Sequence, residues 1–176
     1  VKTILALDLA TLTGWAYRDR AGIVTAGSWL LQDRKVTSAA AKERMDRKLD
    51  ARVPALYRKV VGVWNEHRGG PGPNNPIDFV VFEDVQFGGY TQQNQLWSSL
   101  RTAVWLFCYN YGIPIDCCPV TTLKHFATGS GAADKTFMMA EAAKAFPDVA
   151  IVDDNAADAL HLLRWAIVTH ERQKTS

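Results

Sequence analysis

The chain has 176 residues, 48% of them hydrophobic, enough for one full α/β core and too few for two, so residues 1–176 are expected to form a single domain. Its 20 basic and 18 acidic residues leave a formal net charge of +2, which neither requires nor excludes a nucleic-acid partner. Cys108, Cys117 and Cys118 cannot all pair, no leader pattern opens the chain, and no apolar run approaches about 18 residues, so a soluble protein of a reducing cytoplasm, without a membrane partner, is expected.

In chain order, residues 2–8 form a compact apolar run ending on Asp8, the pattern of a buried strand that delivers an acid to a sheet edge. Residues 11–17 and 23–31 follow across short turns carrying Thr13-Gly14 and Arg20-Ala21-Gly22, which predicts an antiparallel meander. Between residues 38 and 67, Met45, Leu49, Val53, Leu56, Val60 and Trp64 recur at steps of three or four, as an amphipathic helix requires, with a kink or restart at Pro54. Its basic residues Lys42, Arg44, Arg47, Lys48, Arg52, Arg58 and Lys59 are interleaved with Glu43, Asp46 and Asp50, a solvated face with room for some phosphate contacts.

Residues 69–76 are turn-formers throughout and read as a surface loop. Residues 78–83 then repeat the opening pattern, ending on Glu83, and their approach from a helix predicts a strand parallel to the first. A helix over 92–111, a short strand near Ile115, and helices near 120–127, 134–146 and 155–171 complete the chain. The helix over 92–111 holds more large apolar residues than one buried face needs, among them Trp97, Trp105, Phe107 and Tyr109. It is expected either to carry an intermolecular surface or to be buried on two sides of a monomer.

Asp8 and Glu83 end two strands, and the run Asp153-Asp154-Asn155-Ala156-Ala157-Asp158 opens an apolar helix. Parallel neighbours bring the first two acids together. A last helix packed across the same sheet end adds Asp158, with Asp154 one turn earlier on the same helix face. Taken singly, each acid is equally a solvated turn residue or a cap, Asp153 and Asp154 being good N-caps. Three separate elements converging is what points to chemistry. Clustered carboxylates repel unless a proton or cation neutralises them, and an all-carboxylate set selects hard cations such as Mg²⁺ or Mn²⁺. Two such ions about 4 Å apart activate a water and stabilise the leaving oxygen in an in-line attack on a phosphodiester.

Ile4-Leu5-Ala6-Leu7-Asp8 with Thr13-Gly14, Phe79-Val80-Val81-Phe82-Glu83, and Asn155-Ala156-Ala157-Asp158-Ala159-Leu160 resemble, in order and spacing, the three acidic motifs of RuvC-type Holliday-junction resolvases. The segment 120–135 is similar to that family's lysine and glycine-rich segment. The resemblance implies an RNase H-like α/β fold, a five-stranded mixed sheet of three antiparallel strands followed by two parallel ones, flanked by helices. It implies a homodimer that resolves four-way DNA junctions by paired symmetric nicks, with two Mg²⁺ or Mn²⁺ ions per site. It also implies metal-ligand roles for Asp8, Glu83 and Asp158. The family's fourth ligand commonly stands three residues before the last Asp, where this chain has Asn155, and the neighbouring Asp154 is expected to take that role, with Asn155 the alternative; this variant resembles phage members.

Lys124 and Lys135 match family lysines near the scissile phosphate, where an ammonium stabilises the charge developing in the transition state. Gly129 and Gly131 are candidates for close backbone approach to a phosphate, or ordinary turn glycines. Phe87 and Tyr90, in the flexible stretch after Glu83, match the loop near the junction centre and either stack on bases there or cover the core. Thr11 and Thr13 are candidates to orient Asp8 or a phosphate, and His161, one turn after Asp158, is a proton carrier or a packed core residue. Other readings stay open: a nuclease of the same fold acting on other branched DNA, a non-cleaving junction-binding module, and a fragment of an actin-like phosphotransferase. Residues 8–14 also resemble the first phosphate-binding turn of the last class, which needs a second domain and a second glycine-rich loop.

Overall fold

The computed structural model describes residues 1–32, 50–68, 75–84 and 91–171. Strands β1 (Ile4–Asp8), β2 (Leu12–Arg18), β3 (Val24–Leu30), β4 (Phe79–Asp84) and β5 (Ile115–Pro119) make one sheet in the order β3-β2-β1-β4-β5. The first three pair antiparallel and β1, β4 and β5 pair parallel. The described helices are α1 (Arg52–Glu66), α2 (Thr91–Tyr111), α3 (Val120–Thr128), α4 (Lys135–Ala145) and α5 (Asp154–Glu171). None of them is long and apolar enough to cross a membrane.

Every residue of β1 is buried, because helices cover both faces of the sheet. The pleat divides the strand between two cores. Leu5 and Leu7, with Val80 and Phe82 of β4, meet Leu56 and Val60 of α1 and Leu100, Val104 and Phe107 of α2. Ile4 and Ala6, with Phe79 and Val81, meet Leu123 of α3 and Leu160, Leu163 and Ala166 of α5. Buried Ala156 and Ala159 keep α5 thin where it crosses the sheet.

Several local expectations change. The helix expected from residue 38 is described from Arg52, and Lys42, Arg44, Arg47 and Lys48 lie outside the described residues. Pro54 falls in the first turn of α1, where a backbone N–H would have no intrahelical partner, so it marks a helix start and not a kink. Of the turn-rich loop, residues 69–74 lie outside the described residues, and its end is tied to the core. Asn75 Oδ1 accepts from Trp64 Nε1 (3.1 Å) and from the Ile77 amide (3.1 Å), and the Pro76 carbonyl accepts from the buried Tyr17 hydroxyl (3.0 Å). Of the four aromatics counted as surplus on α2, Phe107 is fully buried and Trp97 half-buried. Trp105 and Tyr109 are exposed. All three cysteines carry free thiols.

Candidate active site

The pleat that sends Ile4 and Ala6 toward α5 sends Asp8 there too, and Glu83 follows Phe79 and Val81 in the same way. The parallel register Leu7↔Phe82 sets the next residue of each strand, Asp8 and Glu83, abreast. Across the other side of β1, Asp8 pairs with Gly14 of β2. α5 then crosses this end of the sheet with Asp154 and Asp158 one turn apart. Four acids from three elements therefore share one end of the fold.

Their electrostatics report the crowding. Asp8, 9% exposed, is held well above the usual carboxylate range by burial first, then by the charges of Glu83 and Asp158, a hydrogen bond to the Glu83 carboxyl, and the charge of Asp154. Glu83 is pushed up to about 7 by burial and by Asp158, against the opposing pull of the Asp8 hydrogen bond and of Lys124. The two carboxyls are joined by a hydrogen bond and titrate together as a pair, both held above the ordinary carboxylate range first by burial. Asp158 is pushed up to about 6 by burial and Asp154, while Lys124 and Lys135 oppose the rise.

Asp154 goes the other way. Its carboxylate accepts a hydrogen bond from the Lys135 ammonium at the start of α4, and this holds its pKa below the ordinary value. The Lys135 side chain is 83% exposed, so the pair adds little stability. Its importance is local: it keeps Asp154 ionised beside the other acids. The Asn155 amide reaches toward the other oxygen of Asp154 at 3.4 Å. Asp153 caps α5, its Oδ1 accepting from the Ala156 amide (2.9 Å) and also from the Ser28 hydroxyl on β3 (2.6 Å). A cap of this kind contributes about 0.5–2 kcal/mol.

Other candidates are placed differently from what their types suggested. Gly129 is the left-handed C-cap of α3, with φ 79° and its amide donating to the His125 carbonyl (2.8 Å), so the turn alone accounts for a glycine there. A Cβ on Gly131 would stand 3.7 Å from the Thr121 carbonyl oxygen, an ordinary contact. Neither threonine bonds Asp8: the Thr13 hydroxyl donates to the Ala10 carbonyl (2.7 Å), and that of Thr11 accepts from Arg52 (2.9 Å). His161 is fully buried with Nε2 on the Met138 carbonyl (2.9 Å), and burial lowers its pKa, so it packs α5 against α4 as a neutral ring. Phe87 and Tyr90 lie outside the described residues. Two contacts were not anticipated: Ser28 with Asp153, and the ion pair of Arg101 with Asp84 (2.9 Å) next to Glu83.

Among the described residues, no three His, Cys, Asp or Glu side chains close to coordination spacing around one point. The expected cage is thus a cluster of mutually repelling acids. The donor set still fits a hard divalent cation: it is all oxygen, and its acids are raised first by burial and then by one another's charge, which a cation would offset.

No family model and no curated protein matches the chain. Solved structures do. A Thermus thermophilus RuvC in complex with Holliday junction substrate is 17% identical, with 99% of this chain and 98% of that one covered at a TM-score of 0.69. A Thermus thermophilus RuvC structure is 18% identical, with 98% and 97% covered at 0.63. The yeast mitochondrial Holliday junction resolvase is 9% identical, with 98% and 82% covered at 0.53. Over its described residues the chain shares the fold of these RuvC structures, an RNase H-like sheet flanked by helices.

Proposed function

We propose that this protein is a metal-dependent, structure-specific endonuclease that resolves four-way DNA junctions by paired symmetric nicks. The observation that carries the reading is the cluster of buried Asp8 with the partly buried Glu83, Asp158 and Asp154 at the strand ends of a fold shared with junction resolvases. Fold likeness alone would leave the activity open. Acids buried against their own electrostatics, in the place where this fold can offer them to a phosphodiester, supply the chemical argument.

Asp8, Glu83 and Asp158 are the proposed ligands of two divalent cations, Mg²⁺ or Mn²⁺. Asp154 is preferred over Asn155 as the fourth, because it stays ionised and its charge reaches both Asp8 and Asp158. When bound, the cations supply an activated water and a counter-charge for the leaving oxygen. The chain's own residues do the rest. Asp8 and Glu83 would hold the cations from the strand ends, Lys124 presents positive charge to the side of the cluster formed by Glu83 and Asp158, and Lys135 orients Asp154. The exposed face of α2, with Trp105, Leu106 and Tyr109, supports a homodimer that presents two such sites to a two-fold junction.

The test is cleavage of a synthetic four-way junction beside linear duplex and flap DNA, with Mg²⁺, Mn²⁺ or chelator. Symmetric nicks in opposing arms are expected only with a divalent cation, and Asp8→Asn should lose at least about 10²-fold in rate while still binding the junction. Cutting of flaps or duplex alone would remove the junction from the proposal and keep the nuclease. Undiminished cutting by Asp8→Asn would remove the site.

A further inference from the structure

One row of residues runs across the sheet beneath the first turn of α5. Asp8 of β1 pairs with Gly14 of β2, and Gly14 pairs with Ser28 of β3. Asp8 belongs to the acid cluster. The other two residues touch the helix that brings the remaining acids. A Cβ on Gly14 would stand 1.9 Å from the carbonyl oxygen of Asn155 and 2.4 Å from its carbonyl carbon. The obstacle is backbone, so no side chain can swing aside, and anything larger than glycine must lift the helix. Ser28 holds the same turn from above β3, its hydroxyl donating to Asp153 Oδ1 (2.6 Å) while that oxygen also caps the Ala156 amide (2.9 Å).

Resting on the nuclease reading above, we infer that Gly14 and Ser28 are positioning residues: the bare glycine and the serine–Asp153 bond seat the first turn of α5 so that Asp154 and Asp158 reach the cations held by Asp8 and Glu83. A cap whose only role was to stop α5 fraying would need no partner on β3, since Asp153 already meets the Ala156 amide. The link to Ser28 ties the turn to the strand register that also sets Asp8. Helix-borne and strand-borne ligands are thereby referred to one ladder.

The experiment compares full-length Ser28→Ala, Ser28→Thr and Gly14→Ala with the unaltered chain. Mn²⁺ binding is followed by calorimetry, KM and kcat are measured separately on a four-way junction, and amide exchange is read at Ala156 in the cation-free protein. Ser28→Ala should weaken Mn²⁺ binding by about 10–100-fold, the range for residues that orient metal ligands. It should lower kcat at unchanged KM and speed exchange at Ala156 while the other helices stay protected. Ser28→Thr, which keeps the hydroxyl, should restore all three, and Gly14→Ala should lose more than Ser28→Ala. Wild-type Mn²⁺ affinity in a folded Ser28→Ala, or a loss that Ser28→Thr leaves unrepaired, overturns the inference. An unaltered chain that takes up no Mn²⁺ sinks the nuclease reading instead, and the Ala156 exchange rates then decide the seating of α5 on their own.

Discussion

Lys124 and Lys135 stand beside the same acids and act on them differently. Lys135 is hydrogen-bonded to Asp154 and keeps it ionised, whereas Lys124 lowers the pKa of both Glu83 and Asp158 through its charge. Removing the Lys124 charge lets Glu83 and Asp158 titrate at higher pH than about 7 and about 6, so the acid limb of the cleavage profile should move to more alkaline pH. Single-turnover rates of Lys124→Met against pH check this, with a loss on the order of 10²-fold expected at neutral pH. A limb that stays in place would mean that Lys124 does not act on these two acids. At this scale Asp8 and Glu83 were legible because an apolar run that stops on an acid is a local pattern. Ser28 was not: its partner Asp153 lies 125 residues away, and nothing around an ordinary serine announces a contact made by folding. Gly129 was legible as a glycine but not as a cap, because both a phosphate site and a left-handed turn select that residue.

Among the elements, Asp158 near the start of α5 and the strand acids beside it titrate in the opposite sense to Glu171 at its end. Glu83 rises from an ordinary 4.5 to about 7 and Asp158 from 3.8 to about 6, and Asp8 rises too, so in these windows the folded chain holds protons that the unfolded chain has released. Such groups stabilise the fold as pH falls and destabilise it as pH rises through the window. Glu171 has the opposite sign: burial works to raise its pKa, but hydrogen bonds from Arg18 and the Lys2 amide, with the Arg18 charge, outweigh this, so its contribution is present above the ordinary carboxylate range and is lost in stronger acid. The cation-free protein should therefore melt highest at mildly acidic pH and lose on the order of a few kcal/mol on going to pH 8, at about 2–4 °C of Tm per kcal/mol. Mg²⁺ or Mn²⁺ at pH 8 should return much of it. Thermal melts with chelator and with cation read both effects, and a chelated protein as stable at pH 8 as at pH 5 would contradict the first. Sequence periodicity placed the described elements in order because alternation and three-to-four spacing are set by burial. Their ends were harder. Pro54 fits a kink, a restart or a first turn equally until the surrounding backbone is known.

For the molecule as a whole, one face of α2 brings several exposed apolar side chains together on a single helix. Leu106 is 53% exposed and Tyr109 85%, while the Arg101 guanidinium lies 4.7 Å from the centre of the Trp105 ring and steadies it. Leu106→Glu touches no buried core and should leave the fold intact. In a dimer that uses this face it should shift sedimentation to the monomer and convert paired nicks into single ones. A monomeric unaltered chain would remove the two-fold part of the proposal. The sequence hinted at this face by excess, but not at its membership, since Phe107, fully buried against the sheet, and Tyr109 look alike in a helical run.

At the end of α5 away from the acids, Arg18 donates to both Glu171 oxygens and to the Lys2 carbonyl. The helix is 18 residues long, about 27 Å, and is fastened to the sheet at that end as well as at Asp153. It behaves as a strut pinned at both joints, where sliding or pivoting would break a part-buried hydrogen bond at one end or the other. Among the described residues, one helix fastened at both ends thus fixes where Asp154 and Asp158 start, and side-chain torsions set how they meet Asp8 and Glu83.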